Sequence, residues 1–257
     1  MRYQAFRWGT AALAGAGLTL LAVTGAGAVT AASRGGAAAP LHGLVIGIDP
    51  GHNGRNYTDP AYLNHLVWNG REWEACDTTG TETDGGYTET RFNFRVARFL
   101  STDLRAAGAR VVLTRPNNEG VGPCVNRRAR ILDRAHVNVA IDIHADGGPA
   151  SGRGFSILLP VRDRVNKKII GSSVRFGRDL RSAMHKDTRM PVSDYYGVDG
   201  FAYRDDLAGL NLATQPKVLL ESGNMRNPRD ARLLTSTRFQ QAEARAIAAA
   251  MITFLGR

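Results

Sequence analysis

Val139-Ala-Ile-Asp-Ile-His-Ala-Asp146 is a short apolar run that ends on an imidazole and a carboxylate. A continuous apolar stretch of this length reads as a buried strand. Two other runs share the design. Leu44-Val-Ile-Gly-Ile-Asp-Pro-Gly51 leads into His52, and Lys217-Val-Leu-Leu-Glu221 leads into Ser222 and Gly223. Each is a strand closing on a group that can bind a metal or move a proton. In open α/β sheets, sites form outside the carboxyl ends of strands.

Working outward, strands and helices alternate. The pattern predicts strands at Leu44–Asp49, Arg110–Thr114, Val137–His144, Gly154–Pro160 and Lys217–Glu221. It predicts a helix over Glu89–Ala107, with Phe92, Val96, Phe99, Leu100 and Leu104 on one face and Gly108 as its stop. Further helices are expected at Asn126–His136, with its arginines outward, and at Val165–Lys186 and Arg238–Leu255. Residues 53–87 and 187–216 read as long irregular segments, a kind that is usually functional or mobile. Alternation of this kind argues for an α/β layered domain, with no repeats and no second domain.

Composition bounds the class. The 257 residues are 43% apolar and 22% charged, ordinary for a globular chain with a sizeable core. Residues 1–33 differ. A basic head with Arg2 and Arg7 precedes an Ala/Leu/Val-rich stretch and small residues, the layout of a secretory signal peptide. The competing reading is an uncleaved anchor, although glycines at 15, 17, 25 and 27 dilute the stretch. Residues 34–43 form a linker, and 44–257 form the folded domain. No other run is long and apolar enough to cross a bilayer. In an exported chain, Cys76 and Cys124 form a disulfide or stay as two buried thiols; the pairing is expected in an oxidising compartment. The net charge of +10 draws such a chain toward acidic polymers, or serves solubility alone. No nucleic-acid motif is visible.

His52, Glu89 and His144 supply two imidazoles and a carboxylate, the donor types of hydrolytic zinc sites. Their separations of 37 and 55 residues carry little by themselves. A histidine at a strand end is more often a satisfied polar residue than a ligand. Trp68, Trp73, Tyr195 and Tyr196 are candidates for stacking on a sugar or peptide, with packing as the plainer reading.

Gly47-Ile-Asp-Pro-Gly-His-Asn-Gly54 resembles the opening motif of the zinc-dependent N-acetylmuramoyl-L-alanine amidases, the Amidase_3 family. Similarity continues in Glu89-Thr-Arg-Phe-Asn-Phe94, Val111-Val-Leu-Thr-Arg115 and Asn126-Arg-Arg-Ala-Arg130, then in Ile141–Asp146 and Val218–Asn224. The motifs keep the family order across roughly residues 44–255. The resemblance implies a mixed, mostly parallel sheet of about six strands flanked by helices on both faces. It implies His52, Glu89 and His144 as ligands to one zinc ion and Glu221 as the catalytic glutamate. It further implies hydrolysis of the amide between the lactyl group of N-acetylmuramic acid and L-alanine. The expected partners are peptidoglycan or muropeptides, met by an exported monomer in the periplasm or cell wall, with no nucleic acid and no membrane span once the signal is removed. One departure stands out. The family's usual Ser-Ile-His-Ala-Asn reads Asp142-Ile-His-Ala-Asp146, and Asp142 is either an acceptor that orients His144 or a solvated strand residue. A non-catalytic wall-binding protein and a zinc peptidase are the competing readings.

Overall fold

The computed structural model describes residues 39–257. The segment read as an export signal lies outside the described residues. Six strands form one sheet, in the order β4-β1-β5-β8-β6-β7. They are β1 (Val45–Pro50), β4 (Arg110–Leu113), β5 (Val139–Asp146), β6 (Ser156–Pro160), β7 (Phe201–Arg204) and β8 (Lys217–Asn224). Strands β4, β1, β5 and β8 run parallel; β6 pairs antiparallel with β8 and parallel with β7. The sheet is therefore mixed and mostly parallel.

The strands show the two-residue period that decides which side each group faces. Ile46, Ile48, Val139, Ile141, Ile143, Val218 and Leu220 enter the main core with Phe92, Val96, Leu100, Phe176, Leu180 and Ile247. Those partners come from α2 (Glu89–Ala106), α4 (Ile170–Asp187) and α7 (Thr237–Phe254), which cover that face. Ala140, Leu158 and Leu219 belong to smaller clusters with Leu132 and Leu210. There the cover is α3 (Val125–Arg134) and α5 (Ala208–Asn211). His144 and Glu221 share the parity of Ala140 and Leu219, and the two stand side by side in the β5–β8 register.

The long segments contain short elements that a periodicity reading passes over. Residues 53–87 hold α1 (Pro60–Asn64) and an antiparallel hairpin of β2 (Leu66–Trp68) and β3 (Trp73–Ala75). Residues 187–216 hold β7 and α5, and α6 (Pro228–Leu234) follows β8. Elements of three to seven residues present less than two helical turns, too little to show a period. The Asn227-Pro228 start was nevertheless readable: the Asn227 side chain accepts from the Arg229 and Asp230 amides, and proline suits the first helical turn. Helix α4 starts at Ile170 rather than Val165, because Asn166 organises a turn there. Strands β5 and β8 continue past His144 and Glu221, so these residues lie inside their strands, while His52 stands two residues beyond β1.

Cys76 and Cys124 are joined in a disulfide, with a Cα–Cα distance of 4.4 Å. Closing a loop of this length contributes roughly 3–4 kcal/mol in the chain-entropy view. Among the described residues, no helix is long and apolar enough to cross a membrane.

Candidate active site

The turn after β1 is held by two buried arginines. Arg115 donates through Nε to the Pro50 carbonyl at 2.7 Å and through Nη2 to the Gly51 and Thr90 carbonyls, tying the turn to the start of α2. Arg128 donates to the Pro50 and His52 carbonyls at 3.0 and 2.8 Å. With these carbonyls satisfied, His52 sits at φ +55, a left-handed conformation that a non-glycine residue seldom adopts. Such residues concentrate at functional sites.

Glu89 is the first residue of α2, where the helix dipole favours an anion. Its Oε2 accepts from the Thr81 amide at 2.9 Å; its Oε1 accepts from Asn93 Nδ2 at 3.2 Å and from the Ala145 amide at 3.3 Å. Both oxygens also face imidazoles. His144 Nδ1 lies 2.9 Å from Oε1, and His52 Nε2 lies 3.5 Å from Oε2. The two rings meet edge to face with centroids 4.9 Å apart. One ligand atom from each of His52, Glu89 and His144 falls within 4.8 Å of the others.

Charge explains the protonation of this group. Burial opposes a charged His52, but the carboxylates of Glu89 and Asp77 prevail and raise its pKa to about 8. Burial likewise opposes ionised Glu89, yet His52 and His144 bring its pKa down to about 2. A buried carboxylate flanked by two imidazoles, each turning a ring nitrogen toward it, is the donor set that zinc takes in hydrolytic sites, and these residues fit that ion.

Glu221 stands beside this group. Burial first, then the negative charges of Glu89 and Asp146, raise its pKa well above the usual carboxylate range. Its Oε2 is sealed from solvent and has no hydrogen-bond partner within the chain. Such an orphan is costly unless something absent from the protein itself pairs with it. Tyr195 flanks the same edge and donates to Asp146 Oδ2 at 2.7 Å. A cavity of about 220 Å³ opens on the His52 and His144 side, lined also by Asp77, Asp142 and Gly209.

The structure thus brings together His52, Glu89, His144 and Glu221. Asp142 lines that cavity but is buried, and its Oδ1 forms an ion pair with the buried Lys217 Nζ at 2.8 Å. That packing excludes a solvated Asp142, and its charge is matched by a lysine on the neighbouring strand. The expectation of outward arginines on α3 also needs correction. Arg127 and Arg130 are exposed, but Arg128 is buried and bridges Asp49 Oδ1 at 2.8 Å and Asp77 Oδ2 at 3.2 Å. Asp77 escaped sequence reading altogether, since it lies in a segment without periodicity. Trp68 and Trp73 pair edge to face across the β2–β3 hairpin and remain exposed.

Comparison with known proteins identifies the family. The family model described as N-acetylmuramoyl-L-alanine amidase, Amidase_3, matches residues 46–253. The chain is 40% identical over 218 residues to the N-acetylmuramoyl-L-alanine amidase Rv3717 of Mycobacterium tuberculosis, covering 84% of this chain and 88% of that protein. It is similar to the crystal structure of the amidase Ami1 from Mycobacterium smegmatis, with a TM-score of 0.79 and 37% identity over 84% of this chain and 98% of that one. The apo form of Ami1 from Mycobacterium abscessus matches with a TM-score of 0.78 and 35% identity, covering 83% and 99% of the two chains.

Proposed function

This chain belongs to the Amidase_3 family of N-acetylmuramoyl-L-alanine amidases, and from that premise we propose an exported, zinc-dependent hydrolase of peptidoglycan or its fragments. The bond cut is the amide between the lactyl carbonyl of N-acetylmuramic acid and the nitrogen of L-alanine. The observation that carries the zinc reading is the convergence of His52, Glu89 and His144 from the turn after β1, α2 and β5, with Glu221 alongside. The first three residues would hold the metal. Bound zinc supplies a Lewis acid that polarises the amide carbonyl and acidifies a water molecule.

Glu221 is the proton carrier. Its carboxylate accepts the proton of the attacking water as the new C–O bond forms, then delivers it to the L-alanine nitrogen as the C–N bond breaks. His52 and Glu89 stay fixed meanwhile, through the bonds to Arg128, Thr81 and Asn93. The N-terminal segment 1–33 would be removed on export, which the N-terminus of the mature protein would show.

Mass analysis of digested muropeptides tests the reaction. Free stem peptide and intact glycan are expected; a shortened peptide still attached to muramic acid would mean a peptidase instead. Chelation should abolish cleavage and zinc should restore it. Glu221→Ala should bind zinc normally and lose activity by about 10²–10⁴-fold. A fully active Glu221→Ala enzyme would remove the role given to that residue.

A further inference from the structure

We infer that Asp77 is a positioning residue that holds His52 for the metal, and that the Cys76–Cys124 disulfide with Arg128 clamps Asp77 in place. The inference rests on the zinc reading of the His52, Glu89 and His144 group. Asp77 Oδ1 lies 2.8 Å from His52 Nδ1 and also accepts from the Thr78 amide at 2.8 Å. Oδ2 accepts from Asn56 Nδ2 at 3.1 Å and from Arg128 Nη2 at 3.2 Å. Both oxygens are occupied and the residue is buried, so Asp77 has no free lone pair aimed at the site. It acts through the histidine. An ionised carboxylate only accepts, so it keeps the hydrogen on Nδ1 and leaves Nε2, the nitrogen facing Glu89, free to donate its lone pair. Partners of this kind typically change metal affinity by about 10–100-fold when lost.

The clamp follows from connectivity. Asp77 adjoins Cys76, which is bonded to Cys124, and Cys124 caps the helix α3 that carries Arg128. The Val125 amide donates to the Cys76 carbonyl at 2.8 Å, so two links join the segments one residue from Asp77. Arg128 Nη2 bonds both the Asp77 carboxylate and the His52 carbonyl, so a single guanidinium sets the distance between the histidine and its partner. Asp77 belongs to the long segment 53–87, outside the motifs that hold the ligands, and this covalent and ionic bracing, with the Asn56 hydrogen bond, gives it a fixed place at the site.

Zinc affinity, measured by competition with a chromophoric chelator, tests the proposal in the full-length mature protein. Asp77→Ala is expected to weaken zinc about 10–100-fold. It should also lose the downfield proton resonance of His52 Nδ1–H in the zinc-loaded protein. Asp77→Asn retains an acceptor and should keep that resonance with a smaller, several-fold loss of affinity. Paired Cys76→Ser and Cys124→Ser substitutions should weaken zinc in the same direction. A folded Asp77→Ala protein with affinity within about twofold of the parent overturns the proposal; should that variant not fold, unchanged affinity in Asp77→Asn does so. Wild-type affinity in the double serine variant overturns the clamp. A parent protein that binds no zinc overturns the zinc reading and this inference together, whereas a parent that binds zinc beside an unaffected Asp77→Ala overturns this inference alone.

Discussion

A methyl group on residue 51 would lie 2.1 Å from the His144 ring, far inside contact distance. Gly51 is therefore small because an imidazole from the next strand needs the space, and the Gly-His order of the motif has a steric cause. Gly51→Ala must push the ring or the turn aside, at about 1–3 kcal/mol of overpacking. We expect a folded protein whose zinc affinity and amidase rate both fall at least about tenfold, since an ångström of misplacement at a reacting centre is costly. Equal zinc affinity in parent and variant would show that the ring is not displaced. At this scale the motif residues were legible, because each is a special residue type at the end of a recognisable run. Asp77 and the inward Arg128 were not: an aspartate in a loop and one arginine among several look the same whether buried or exposed.

At the scale of elements, the site depends on how β1, the 53–87 segment and α3 are tied. Arg128 joins all three, through Asp49, Asp77 and the carbonyls of Pro50, His52 and Pro123. Removing one partner of a buried charge group leaves the others unpaired, which typically costs about 3–5 kcal/mol. Arg128→Ala should lower the unfolding free energy by about that amount in urea titration, whereas Arg127→Ala, one residue away and exposed, should fall within about 0.5 kcal/mol of the parent. Similar losses for both would mean that α3 tolerates any change equally and that the buried bridge contributes little. The long helices and buried strands were readable because burial imposes a period on them. The hairpin, β7, α1 and α5 were not, because they are stabilised by packing against the larger elements rather than by a pattern of their own.

The whole molecule carries further buried acids. Glu243 on α7 accepts from Ser222 Oγ of β8 at 2.5 Å, and its other oxygen has no partner. Burial raises its pKa to about 8, against which the Ser222 bond acts only in part. The folded state therefore keeps a proton that the unfolded chain releases near 4.5. Stability from this group is complete below the unfolded value, declines as pH rises, and is lost by about pH 8. Glu243→Gln preserves the neutral shape without the titration. Relative to the parent it should gain stability between about pH 5 and pH 8, by on the order of 4 kcal/mol at the upper end. Urea unfolding across that range checks this, and parallel curves for the two proteins would contradict a buried, titrating Glu243.

The sequence by itself determined the alternation of strands and helices and the layered α/β class, which follow from local rules: a buried strand must be apolar and a helix must repeat. The resemblance of its ordered motifs implied the family and the four residues expected at the site's centre. Tertiary structure alone decided that the sheet turns antiparallel at β6, that Asp142 pairs with Lys217, and that Asp77 meets His52. Those outcomes depend on which groups lose water together. Burial of a charge is tolerated only beside its partner, and the partner here lies on another strand or tens of residues away, where no local pattern can announce it.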